Sequence, residues 1–177
     1  VFVGYNMRFN PLLQRLKQEL SDQNIISAQA YVGQHLPQWR PNMDYRESYS
    51  AQKSQGGGVL RDLSHELDYL NWLFGGWKFL SAIGGHFSDL EIDSDDVFSL
   101  MIKMKNCPIV SLQLNYLDRV ARRSLLINTN NHVFQIDFIN KTFQKDNEVE
   151  VFDFDRNYSY IKQHQAILEN NPDFLCN

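Results

Sequence analysis

The chain has 177 residues, 43% hydrophobic and 13% aromatic, with a net charge of -4. This is enough apolar material for one sizeable core, so a single domain over 1–177 is expected; the acidic balance leaves no global basic surface, which argues against nucleic acid as a partner. No apolar run approaches the roughly eighteen residues of a membrane span, the opening residues VFVGYNMRF have neither the charged nor the apolar region of a signal peptide, and the two cysteines, Cys107 and Cys176, lack the number and spacing of a disulfide scaffold or zinc site. A cytoplasmic setting is expected.

Residues 1–5, VFVGY, read as a short apolar strand that begins without a turn or cap, and the chain stops abruptly at FLCN, so both ends read as cut. Asn10 suits a helix N-cap and Pro11 the first helical position, where its missing N–H costs nothing. A helix is predicted over 11–20, with Leu12, Leu13, Leu16 and Leu20 as its buried stripe. Residues 25–34 read as a strand. From 35 to 55 runs a polar segment with two prolines, Trp39, Tyr45 and Tyr49, longer than most structureless connections and of a size that goes with function or mobility.

Beyond residue 76 the pattern turns to strands, predicted at 78–85, 97–104, 109–117, 123–128, 132–138, 142–145 and 149–154. Turn signals at 105–108, 128–131 and 145–148 imply hairpins, and a helix is expected over 158–170. The fold class is therefore α+β: an open, predominantly antiparallel sheet, laid out as a meander and covered on one face by helices.

Between those halves lies QGGGVLRDLSHELDYLNWLFG, residues 55–75. At 100° per residue, Leu60, Leu63, Leu67, Leu70 and Phe74 form a stripe for the sheet, while Asp62, His65 and Tyr69 fall on the opposite side and Asp68 lies three beyond His65. Two accounts stand side by side: the polar face of an amphipathic helix with an ion pair or two, or a general base made of an imidazole with a carboxylate beside it. Gly56, Gly57 and Gly58 serve a sharp turn, close approach of a ligand, or a flexible linker. If the imidazole takes a hydroxyl proton, the electron acceptor must come from elsewhere, since no G-x-G-x-x-G and no phosphate loop is present.

Taken together, VGYNMRFNPLLQRLKQEL and GGGVLRDLSHELDYLNWLFG resemble the C-terminal domain of the glucose-fructose oxidoreductase, inositol dehydrogenase and MocA-like family of NAD(P)-dependent oxidoreductases. The resemblance runs in order over roughly the first half of the chain; the second half agrees in pattern. It implies a dihydrodipicolinate-reductase-like C-terminal domain lacking its N-terminal Rossmann domain, an NAD or NADP cofactor bound mainly by that missing part, a sugar-like substrate, and a homo-oligomer formed through the open sheet. His65 matches the histidine placed near the substrate carbon, and Asp62 its upstream aspartate partner. DLSH has two residues between Asp and His where many members have three, which alters the geometry of the pair. The family's catalytic lysine, from a Glu-Lys-Pro motif, is not in these residues, so the 177 residues alone are expected to be inactive and either His65 or that lysine handles the proton. Arg8 matches a domain-junction position, as a substrate contact or a salt bridge. Tyr45, Arg46 and Lys53, on the loop before the glycines, are the further candidate substrate contacts. A non-catalytic dimerisation or small-molecule-binding module of the same fold stays open as the alternative.

Three features are assigned no site. The acidic stretch 86–96 lacks calcium-loop spacing, so no metal is expected. His35, His132 and His164 are isolated. Arg119, Arg122 and Arg123, in RVARR, suit an anionic sugar nucleotide, a charged guard on a sheet edge, or ion pairs across the sheet.

Overall fold

The computed structural model describes residues 2–169, 171 and 176. Val1 of the predicted first strand and Asn170 of the predicted last helix lie outside them. Instead of a strand over 1–5, Val3 makes a single bridge to Cys176, and the chain then turns through one 3-10 turn, Asn6–Phe9. Helix α1 spans Pro11–Glu19, and the Asn10 side chain accepts a hydrogen bond from Leu12 N at 2.9 Å, satisfying one of the amide groups a helix start leaves unpaired.

Among the described residues eight strands follow as β1 (Ile25–Gly33), β2 (Trp77–Gly85), β3 (Val97–Met104), β4 (Ile109–Asn115), β5 (Arg122–Thr129), β6 (Val133–Asp137), β7 (Thr142–Lys145) and β8 (Glu148–Val151). They form one open sheet in the order β2-β3-β4-β1-β5-β6-β7-β8. The sheet is not the simple meander expected. β1 inserts between β4 and β5, antiparallel to β5 but parallel to β4, so the sheet is mixed, though predominantly antiparallel. Turn signals report only on strands adjacent in sequence. The central place of β1 is decided by its neighbours, which satisfy its backbone on both edges.

The registers put the apolar residues on one face. Ala30 lies between Leu112 and Leu125, Ala28 between Val110 and Ile127, and Ile136 between Leu125 and Phe143. Against this face pack Leu12, Leu13 and Leu16 of α1, all fully buried. The other face is open: Ile83, Met101 and Ile109 are 77%, 51% and 53% exposed. Helix α4, Tyr158–Leu168, returns to the first turn, where Asn6 Nδ2 donates to Ser159 Oγ at 2.7 Å.

The glycine-led helix is broken. α2 covers Val59–Asp62 and α3 covers His65–Phe74, with Leu63 and Ser64 as a turn between them. A single 100° phase therefore does not run through the segment, and two expectations are corrected. Tyr69, placed on the wet side by that phase, is fully buried, and Leu60, Leu63 and Leu67 are only half-buried. The buried face of α3 carries Glu66, Tyr69, Leu70 and Phe74. The glycines are no flexible linker either: a Cβ on Gly57 would collide with the carbonyl oxygens of Tyr49 and Ser50, and Gly58 has a φ of 125° and presses against Asp95. Asp95 caps α2 from outside, accepting from Leu60 N at 3.0 Å.

The long polar segment is folded onto the body through four short 3-10 turns, Leu36–Gln38, Tyr45–Glu47, Tyr49–Ala51 and Lys53–Gln55, with Leu36, Ser48, Ser50 and Ala51 buried. The acidic stretch also has structural work. Asp96, fully buried, accepts from the amides of Phe87 and Ser88 at 3.0 and 2.9 Å and from the Ser88 hydroxyl at 2.6 Å.

Candidate active site

Asp62 ends α2 and His65 begins α3, so the turn at Leu63 and Ser64 delivers both side chains to one place. They border a cavity of about 240 Å³ whose walls include Trp39, Arg122, Arg123 and Ile139. The segments that meet here are distant in sequence: the end of β1, the first 3-10 turn of the polar segment, the helix break and the start of β5. A wider groove of about 670 Å³ lies elsewhere, between the end of α1 and the turn after β3, and none of the candidate site residues borders it.

No hydrogen bond or ion pair joins Asp62 to His65. Instead the Tyr116 hydroxyl donates to Asp62 Oδ2 at 2.7 Å, and among the described residues it is the sole hydrogen-bond partner of that carboxylate. Tyr116 is fully buried one residue past β4, and Trp39 braces it edge-to-face with centroids 5.2 Å apart. Burial, with Asp62 alongside, pushes the Tyr116 phenol far up, so it remains a donor.

His65 is held by its surroundings rather than by a carboxylate. Tyr5 meets the imidazole edge-to-face at 5.4 Å, and the Tyr5 hydroxyl donates to Ser64 Oγ at 3.3 Å. Nδ1 is buried and has no partner among the described residues. Burial first, and the Arg123 guanidinium second, push the imidazole down to about 4, so it is uncharged at neutral pH. Its position at the first residue of α3 adds the positive end of a helix dipole, which disfavours an imidazolium in the same sense.

Arg123 is itself committed. Its Nε and Nη2 donate to Glu66 Oε1 and Oε2 at 2.7 and 3.2 Å, and Glu66 is fully buried on α3. Burial pushes the Glu66 carboxyl up, and the two-point contact with Arg123 opposes that push. Arg119 donates to His35 Nδ1 at 3.1 Å, and Arg122 stands 4.0 Å from Asp118. RVARR thus supplies ion pairs and one cavity wall.

Arg8 lies in a buried ion pair with Asp68, the structural alternative of the two expected for it, and Asp68 turns to Arg8 rather than to His65. Tyr45, Arg46 and Lys53 do not border the cavity. The Arg46 guanidinium pairs with Asp44 at 2.6 Å and Glu91 at 2.7 Å, the Tyr45 hydroxyl accepts from Glu91 N, and Lys53 is tied through its backbone amide to Asp93. Tyr116 and Trp39 are the site residues that sequence reasoning missed. The signal for Tyr116 was present: it continues the inward alternation of Leu112 and Leu114, a hydroxyl-bearing residue at a core-facing strand end.

Among the described residues no cluster of acidic, His or Cys side chains is arranged to hold a metal ion, and no helix is long and apolar enough to cross a membrane.

The sequence profile of the GFO/IDH/MocA C-terminal domain matches residues 14–135, more than half of the chain. The chain belongs to that family. A comparison with curated proteins gives no match. Among solved structures, this GFO/IDH/MocA domain superimposes on an oxidoreductase from Thermotoga maritima with a TM-score of 0.77 at 15% identity, over 98% of this chain and 53% of that one. Levoglucosan dehydrogenase in complex with NADH and levoglucosan gives 0.77 at 19% identity, over 98% and 59%. UDP-N-acetylglucosamine 3-dehydrogenase from Acidithiobacillus ferrooxidans gives 0.72 at 19%, over 98% and 54%. At such identities the likeness speaks for the fold alone. The domain spans little more than half the length of these relatives.

Proposed function

We propose that this domain binds the substrate of an NAD(P)-dependent oxidoreductase that acts on a hydroxyl or carbonyl of a sugar, cyclitol or nucleotide-linked sugar. The observation that carries the reading is the cavity itself: a carboxylate and an uncharged imidazole, brought to one pocket by a helix break and walled by an indole, within a family fold shared with sugar and nucleotide-sugar dehydrogenases. Gln34, Asp62, His65 and two arginines set around one indole suit a polyhydroxylated ring, whose hydroxyls need acceptors and donors and whose faces are apolar.

NAD or NADP would be held mainly by a nucleotide-binding unit outside these residues, because the domain offers no glycine-rich turn between strand and helix for a pyrophosphate. When bound, the nicotinamide supplies the hydride acceptor or donor at C4. The domain's own residues bind and orient: Asp62 accepts a hydrogen bond from a substrate hydroxyl, His65 meets the reacting oxygen, and Trp39 walls the ring. The hydroxyl proton is handled by His65 or by the family's lysine. Function in the cytoplasm and self-association through the open sheet face belong to the same reading; exposed Ile83, Met101 and Ile109 favour the latter.

The test is the full-length protein with NAD or NADP and a panel of sugars and cyclitols, followed by nicotinamide absorbance. Turnover is expected, and His65→Ala should lower kcat far more than it weakens cofactor binding. A full-length protein that neither binds a dinucleotide nor oxidises or reduces any member of the panel would return the domain to a non-catalytic binding module.

A further inference from the structure

The shortened DLSH spacing has a chemical consequence. With two residues between them, Asp62 closes α2 and His65 opens α3, and the carboxylate is taken by a group from the sheet, the Tyr116 hydroxyl, rather than by the imidazole. A phenol donating to a carboxylate is a strong, directional contact that fixes the acceptor group. Trp39, packed against the Tyr116 ring, limits its movement.

We propose that Tyr116 is a positioning residue that uncouples Asp62 from His65, holding one carboxylate oxygen so that the other serves a substrate hydroxyl, while His65 binds the reacting oxygen as a neutral donor and does not store the proton.

This rests on the oxidoreductase reading above and decides between its two proton handlers. The groups around the imidazole agree with it. Arg122 and Arg123 reach the cavity from β5, and both are cations. Of the anions, Glu66 is engaged by Arg123, Asp68 by Arg8 and Asp62 by Tyr116. Tyr5 presents a ring edge, and Tyr160 of α4 lies near Arg123. Among the described residues no carboxylate is hydrogen-bonded or ion-paired to the imidazole, and the through-space pull of Asp68 is outweighed by burial and by the Arg123 charge. Because a buried N–H without an acceptor costs more than a buried lone pair, the proton of the neutral ring belongs on Nε2, the nitrogen that is not sealed in the interior. A ring in that state donates to an oxygen. It has no lone pair facing the substrate with which to take a proton.

The experiment is a pH titration of the His65 ring by nitrogen-detected NMR on the full-length protein, wild type and Tyr116→Phe, with kinetics alongside. In the wild type the ring should read as the neutral Nε2–H tautomer from pH 8 down to pH about 5. Removing the phenol hydroxyl frees Asp62 to turn to the imidazole, and the His65 midpoint should rise by about one pH unit or more. In turnover, Tyr116→Phe should raise the KM for the sugar by about tenfold with the KM for the dinucleotide unchanged. His65→Gln, which keeps a donor but cannot carry a proton, should retain activity that His65→Ala loses. A wild-type His65 midpoint in the ordinary imidazole range, or one unmoved by Tyr116→Phe, would overturn the proposal. So would a His65→Gln as inactive as the alanine variant. If the wild type turns over no substrate, the oxidoreductase reading fails, and the NMR arm still decides the Tyr116 assignment by itself.

Discussion

Arg8 and Asp68 form a two-point ion pair in the interior, with Nε 2.9 Å from Oδ2 and Nη2 2.5 Å from Oδ1, and it fastens the first turn of the chain to α3. The side chains are only 10% and 4% exposed, so removing one takes this ion pair from a charge that stays buried. Arg8→Ala or Asp68→Ala should cost about 3–5 kcal/mol of folding stability, read as a lowered urea midpoint at unchanged slope.

Stability should also fall with acid in a defined window. The ordinary imidazole protonates near pH 6.5 and His65 near 4, so between these values the unfolded chain binds more protons than the folded one. The contribution is therefore fully present above about pH 6.5 and is lost as pH falls toward 4, at no more than about 1.4 kcal/mol per unit. His35, lowered by burial and by Arg119, acts in the same direction. Thermal melts of wild type and His65→Gln between pH 7 and pH 4 isolate the His65 share. Parallel curves would contradict it.

Gly57 is required by sterics, not by an unusual φ. An added Cβ meets backbone carbonyl oxygens of Tyr49 and Ser50, which cannot rotate away as a side chain tip would. Gly57→Ala should destabilise by about 1–3 kcal/mol. Because it shifts the start of α2, it should also weaken substrate binding through Asp62.

On the open face, Met101→Glu should leave the monomer fold intact, since the side chain is 51% exposed. If copies associate through this face, the buried carboxylates repel, and sedimentation equilibrium should show the dimer dissociation constant rising by tenfold or more, about 1.4 kcal/mol. Equal association of wild type and variant would place the contact elsewhere.

Arg46→Ala is expected to be nearly silent. Its ion pairs with Asp44 and Glu91 are exposed, and such pairs contribute little. Stability should stay close to that of the wild type, and substrate KM should not change, because Arg46 does not border the cavity.

Much of this architecture is written in local patterns. The strands at Val97–Met104 and Thr142–Lys145 fall where alternation placed them, and Asn10 caps the helix that Pro11 opens. Asp62 and His65 were legible as close neighbours in one segment, and the helix break between them brings both to one cavity. These features depend on neighbours one to four residues away, and a side-chain period of two or 3.6 is visible in a single chain. Other features were decided by surfaces that meet only once the chain is folded. β1 lies between β4 and β5 because one edge finds its partner about eighty residues on and the other about ninety to a hundred. Tyr116 reaches Asp62 across 54 positions and Arg8 reaches Asp68 across 60. Glu66 and Arg123 pair across 57. No periodicity records such distances. The partner of a polar group in the interior is whichever donor or acceptor the packing of the sheet and helices delivers to it. So the sequence by itself determined which residues could do chemistry here, and the tertiary structure decided which of them hold one another, and therefore which are left to meet a ligand.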